Sequence, residues 1–243
     1  MDSTVQHIRA ITLDLDDTLW EITPVIRRAE AELWAWLAAN YPEITGRFTP
    51  ESASGLRQQV LAQHANRSHD LRFLRKAVLE RMAEDAGYPT DLVEPAFQVF
   101  DAARNRVRLF DDVLPALQVL SQRFPIIALT NGNANLETIG VRQLFAGVVT
   151  AEEAGAAKPS PAIFECAMQR SGLSAAEILH VGDHPDIDVV GAGDAGLTTA
   201  WMNRRGSAWP RHLRPPDAIV TTMHELQALL MPAAGGDRLQ NDS

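Results

Sequence analysis

The feature that most constrains this chain is a rhythm of short apolar runs, each followed by a segment of helix length. The runs cover residues 7–15, 125–130, 147–150, 178–182, 197–202 and 218–220. Helix-like segments lie between them at 112–123, 160–171, 186–195 and 222–230. Strands joined by crossovers of this length run parallel and need cover on both faces. Ser174 with Glu177, and Thr222 with Glu225, have the spacing of a capping box. Gly196 stands where a helix ends in a left-handed residue. The expected core is therefore α/β: a doubly wound, mostly parallel sheet.

One stretch breaks the rhythm. Residues 24–106 contain no strand pattern and instead show helical spacing at 24–39, 50–63, 70–86 and 92–107. In the first of these, Ile26, Ala29, Leu33, Trp36 and Leu37 form one apolar face. Pro42, Gly46, Pro50 and the Gly87-Tyr88-Pro89 run punctuate the others. An all-helical insertion after the first strand reads as a smaller second domain over the sheet. The expected division is a core of 1–22 and 107–231, an inserted helical domain of 23–106, and a disordered glycine-rich tail at 232–243.

Composition narrows the class. Of 243 residues, 31 are acidic and 22 basic, a net charge of −9, with no dense basic stretch. That balance argues against nucleic acid as the main partner. One cysteine, Cys166, rules out an intramolecular disulfide and any multi-cysteine zinc site. No leader pattern precedes the first run and no apolar run approaches bilayer length. The expectation is a soluble, cytoplasmic protein, monomeric or homodimeric, without membrane or nucleic-acid partners.

In open parallel sheets, ligands bind beyond the carboxyl ends of the strands, so the residues there carry the argument. The first run ends in Asp14-Leu15-Asp16-Asp17-Thr18 and the second in Thr130-Asn131-Gly132. The fourth ends at Asp183, with Asp188 soon after, and Lys158 sits in a proline-flanked loop between. Converging carboxylates need a counter-charge, and an all-oxygen site suits Mg²⁺. The set fits phosphoryl transfer through an aspartyl phosphate on a small phosphorylated substrate. One carboxylate attacks phosphorus, and another, two residues on in extended backbone, moves the protons.

Together, Asp14-Leu15-Asp16-Asp17-Thr18-Leu19, Leu129-Thr130-Asn131-Gly132, Lys158-Pro159 and Gly182-Asp183 with Asp188 resemble the four ordered motifs of the haloacid dehalogenase (HAD) superfamily. The helical insertion is similar to the C1 cap of its subfamily I, and the resemblance spans about residues 7–230. It implies a Rossmann-like core in which Asp14 is the nucleophile and Asp16 the general acid/base. It assigns Mg²⁺ to the carboxylates of Asp14 and Asp183 and the carbonyl of Asp16. Thr130 and the Asn131 amide would bind the phosphoryl group, Lys158 would steady Asp14, and Asp188 would orient Lys158 or a metal-bound water. The dehalogenating branch lacks the second aspartate, so Asp16 favours phosphate-ester hydrolysis. Further details, among them His69-Asp70 with Arg75 and the run from Glu177 to Asp183, resemble YigB-type phosphatases. Those act on flavin mononucleotide and on 5-amino-6-(5-phospho-D-ribitylamino)uracil. His184 departs from the pattern, standing where an acidic residue often follows the metal aspartate.

Blander readings compete at single positions. Asp183 could cap the next helix, Trp20 could pack at the hinge rather than stack on a substrate ring, and Arg75 could face substrate or merely solvent. A sugar phosphomutase of the same fold, or a non-catalytic binding or regulatory relative, remains an alternative.

Overall fold

The computed structural model describes residues 5–232. All but the first residue of the expected tail lies outside them. Strand β1 (Ala10–Leu13) is followed by five helices: α1 (Ile22–Asn40), α2 (Pro42–Arg47), α3 (Pro50–Gln63), α4 (Leu71–Asp85) and α5 (Val93–Arg104). The chain then alternates through α6 (Val113–Arg123), β2 (Ile126–Thr130), α7 (Leu136–Ile139), β3 (Gly147–Thr150), α8 (Ala151–Ala154), α9 (Pro161–Ser171) and β4 (Ile178–Gly182). It finishes with α10 (Gly191–Asp194), β5 (Thr198–Met202), β6 (Ala218–Val220) and α11 (Met223–Leu230).

The strands form one six-stranded sheet in the order β3-β2-β1-β4-β5-β6, parallel at every pairing. The chain leaves β1 toward one edge and later restarts beside it toward the other, which opens a crevice at the carboxyl end of β1. Strand alternation feeds two cores. Ile126 and Ala128 of β2 join the layer with α6 and α11, while Ile127 and Leu129 join the layer with α9 and α10.

The five inserted helices, called the cap below, enclose their own apolar cluster. In α1 the buried row is Val25, Ala29, Leu33 and Leu37, with Ile26 and Trp36 only partly covered. That row advances by four residues at a time and faces α5, so it sits slightly around the helix from the expected stripe. Caps set the starts locally: Thr49 and Ser52 bond reciprocally at α3, and Asp70 accepts from the Phe73 N–H at 2.9 Å at α4.

Three expectations are corrected. Helix α2 starts at a proline read as a mere interruption, because Pro fits a first helical turn. The expected helix at 186–195 is a wide π-type turn, Pro185–Val190, leading into the four-residue α10. The first strand is shorter than residues 7–15: β1 ends at Leu13, and a turn begins directly after Asp16, with Asp17 at φ +60° and its N–H donating to the Trp20 carbonyl. At Gly196, φ is +86°, as the helix-stop reading requires. No helix among the described residues is long and apolar enough to cross a membrane.

Candidate active site

Asp14 directly continues β1: its N–H donates to the Val181 carbonyl at 2.9 Å, which fixes its side chain at the sheet's crevice. Lys158 arrives from the loop before α9 and is buried, its side chain only 2% exposed. Its Nζ donates to Asp14 Oδ1 at 2.6 Å and to Asp188 Oδ1 at 2.7 Å. Thr18 Oγ1 donates to the other Asp14 oxygen at 3.2 Å. Asp14, Asp183 and Asp188 each place a carboxylate oxygen within 4.8 Å of the others.

The second shell of contacts separates Asp183 from Asp188. Asp188 is engaged on both oxygens, by Lys158 and His180 on one side and by the His184 N–H at 2.9 Å on the other. Asp183 does not cap the following turn. That task falls to His184, whose Nδ1 accepts from the Ile187 N–H at 3.1 Å. The carboxylate of Asp183 accepts no hydrogen bond among the described residues, while its carbonyl accepts from Trp201 Nε1 at 2.7 Å. His184, the departure from the family pattern, thus has a local structural role.

Thr130 is buried at the end of β2, and its Oγ1 accepts from the Gly132 N–H at 2.9 Å. The Asn131 side chain bridges to the other loop, donating to the Lys158 carbonyl at 3.0 Å and accepting from its N–H at 2.7 Å. That clasp ties the loop after β2 to the lysine. A crevice of about 130 Å³ brings together every predicted site residue except Arg75.

Electrostatically, three carboxylates face one ammonium. Burial raises Asp14 to about 8, against the pull of Lys158 and with Asp188 adding to the rise. Burial, with Asp188 and Asp17, pushes Asp183 up to about 7. Burial also opposes the charge on Asp188, yet Lys158 and His180 outweigh it and hold that carboxyl low. Lys158 is likewise held above its usual range by Asp14 and Asp188 despite its burial. Lys158 and Asp188 therefore form the settled ion pair, and one ammonium does not suffice to keep Asp14 and Asp183 ionised as well. Two hard oxygen donors short of a cation fit a divalent ion such as Mg²⁺.

Sequence reasoning passed over Arg104. This last residue of α5 is fully buried and places Nη2 at 2.8 Å from each oxygen of Asp16. Trp20, also fully buried, donates from Nε1 to Asp16 Oδ1 at 2.8 Å, so it packs at the hinge and is closed to any substrate ring. Nothing in the helical pattern marks Arg104, because its partner lies across the hinge. Arg75 lies apart from the crevice, in the cap. It donates to Glu30 Oε1 at 2.9 Å, and its guanidinium stacks 3.4 Å from the centre of the Phe100 ring. Arg57 donates to the same Glu30 oxygen at 3.0 Å. These three charges border a largely apolar cavity of about 320 Å³ that reaches Asn133, on the loop after β2.

A sheet of this order, with an acidic crevice at the end of its central strand and a lysine locked into it, fits a hydrolase. The family described as haloacid dehalogenase-like hydrolase matches residues 8–196, and the chain belongs to it. Within that family it stands with the phosphatases. It is 31% identical to the Escherichia coli 5-amino-6-(5-phospho-D-ribitylamino)uracil phosphatase YigB, over 86% of this chain and 91% of that one. It is 25% identical to human N-acylneuraminate-9-phosphatase, over 93% and 95%. Among solved structures, one titled 2-haloacid dehalogenase from Pseudomonas syringae pv. Tomato DC3000 superposes with a TM-score of 0.88 and 38% identity, over 92% of this chain and 98% of that one.

Proposed function

We propose that the chain is a Mg²⁺-dependent phosphomonoesterase that works through a phosphoryl group carried on Asp14. The observation that carries this reading is the cluster at the crevice, where three carboxylates converge and a single ammonium, Lys158, is shared between Asp14 and Asp188. In it, a carboxylate oxygen of Asp14 attacks phosphorus, and the bond from phosphorus to the ester oxygen breaks. Asp16 delivers a proton to that departing oxygen. It then takes a proton from the water that attacks phosphorus and frees Asp14. Thr130 and the Asn131 N–H receive the phosphoryl oxygens, and Lys158 keeps Asp14 ionised and aimed. Asp14, Asp183 and the Asp16 carbonyl, with Asp188 behind them, would hold Mg²⁺, which would neutralise charge on the phosphoryl oxygens.

Residues 23–106 serve as the cap that selects the leaving group. The cap cavity, mostly apolar and continuous with Asn133, suits a leaving group with an uncharged ring. Flavin mononucleotide and the ribitylaminouracil phosphate named for the Escherichia coli relative are the first candidates.

Phosphate release from a panel of phosphomonoesters, with Mg²⁺ or with chelator, tests the class. Asp14→Asn should lower turnover by at least about 10⁴-fold while the melting curve stays cooperative. A mutant retaining near wild-type turnover would remove Asp14 as nucleophile. Dehalogenation is the second reading, favoured by the likeness to the Pseudomonas structure. Asp16 opposes it, since displacing a halide needs no proton donor. Halide release from 2-haloacids exceeding phosphate release from every ester would reverse the order.

A further inference from the structure

We infer that Arg104 is a positioning residue for Asp16, and that through it the cap sets whether the proton-transfer carboxylate is aligned. This rests on the reading of Asp16 as the acid/base. Because Asp16 lies beyond the end of β1, directly before the turn at Asp17, the sheet ladder does not orient its side chain. Three contacts do so instead. Trp20 donates to Oδ1 at 2.8 Å, and Gly132 closes in so tightly that a Cβ there would sit 2.7 Å from Oδ2. Arg104 Nη2 reaches both oxygens at 2.8 Å.

Of the three, only Arg104 belongs to the cap. Its contact is made end-on through a single nitrogen, and Nη1 is buried without a partner. Nε meets Asn133 Oδ1 at 3.3 Å, on the loop that follows β2. The next residue repeats the tie, with Asn105 Oδ1 accepting from the Asn135 N–H at 2.7 Å. The end of α5 is itself held to α1 by Arg28, which donates to the Ala103 and Arg106 carbonyls. One helix terminus of the cap therefore grips both the segment bearing Asp16 and the loop that follows Thr130. Any movement of the cap that withdraws α5 leaves the Asp16 carboxylate held by Trp20 on one oxygen alone.

The test exploits leaving groups that differ in their need for a proton. p-Nitrophenolate departs unaided, whereas an alkoxide needs protonation as its bond to phosphorus breaks. With the Mg²⁺-loaded full chain, kcat/KM for p-nitrophenyl phosphate and for 2-phenylethyl phosphate reports the step that forms the phospho-enzyme. Arg104→Met should lower the alkyl value by about 100-fold and the aryl value by less than about tenfold. Arg104→Lys, which keeps a buried cation pointed end-on, should restore part of the alkyl loss and serves if the Met variant unfolds. Equal losses on both esters in the variants that fold would make Arg104 merely structural and overturn the inference. Asp16→Asn is the separating control. If it too loses both esters equally, Asp16 is not the proton donor and the underlying reading fails with it. If only Asp16→Asn discriminates between the esters, the reading stands and the role of Arg104 falls.

Discussion

The crevice and the cap each hold a charge cluster, and the surplus has opposite sign. At the crevice Asp14, Asp183 and Asp188 share Lys158. In the cap Arg57 and Arg75 share one oxygen of Glu30. The acidic surplus stays open at a strand end, where a cation and a phosphoryl group can meet it. The basic surplus is quenched differently: Arg75 lies flat on Phe100, a cation–π contact that leaves the adjoining cavity mostly apolar. Charge in the crevice is thus placed for chemistry, and charge in the cap is placed to hold helices around a cavity. The same kind of ion pair therefore predicts different consequences when it is cut.

The largest of these consequences lies at Lys158. Lys158→Met leaves Asp14 and Asp188 buried together without a cation. Protonation of Asp14, whose carboxyl is raised to about 8 even with Lys158 beside it, relieves part of this at neutral pH, so the loss of stability should reach about 3–5 kcal/mol at pH well above 8. Turnover should fall about 100–1,000-fold, because the nucleophile loses its aim. Thermal melts in chelator and in Mg²⁺ check this, with the deficit shrinking when the metal is present. A variant as stable as wild type in chelator would show that the crevice has no unmet charge, and the contrast with the cap would collapse.

How much of this was legible in the sequence follows the same divide. Strand ends are marked by short apolar runs, so Asp14, Thr130 and Asp183 could be placed at the crevice from local pattern and order alone. Lys158 was found through its proline-flanked motif, though its burial was not, since a lone loop lysine is ordinarily solvated. In the cap, four of five helices could be read, but the residues lining the cavity could not. A 3.6-residue period gives a face and not the angle at which two faces cross. Arg104 and Glu30 illustrate the limit, as each takes its meaning from a partner far along the chain. The turn at Asp17 could be weighed but not placed, because Asp in a left-handed conformation looks like any other aspartate in a polar run.

A second, smaller effect concerns protons and metal at Asp183, whose carboxyl is raised to about 7 chiefly by burial. Without metal, the folded state keeps a proton between the unfolded carboxylate value, about 3.9, and the raised folded value. Over that window the unfolded chain binds fewer protons, so this group's stabilising contribution is full below it and is lost as pH rises through about 7. Mg²⁺ binds the ionised form and should reverse the trend, so its stabilising shift in Tm should grow from about pH 5 to about pH 8. Asp183→Asn should flatten both curves. A Mg²⁺ shift that is independent of pH, or undiminished in Asp183→Asn, would move the metal away from this carboxylate.

The smallest effect is expected in the cap, at Arg75, which the sequence had suggested for contact with substrate. Arg75→Met keeps the apolar stem against Phe100 and leaves Glu30 with Arg57 as its one remaining partner. A hydrogen bond to a charged partner is lost, at a cost of about 1–3 kcal/mol in cap stability. The reacting atoms are not touched, because Arg75 lines the cavity and not the crevice. Kinetically, the change should raise KM for ring-bearing esters and alter kcat by less than about threefold, the signature of binding shared by ground and transition states. A fall in kcat of more than about tenfold at unchanged KM would instead place Arg75 at the reacting end. The two charge clusters would then have to be treated as one site spanning core and cap, with the cap's arginines acting on the phosphoryl group itself.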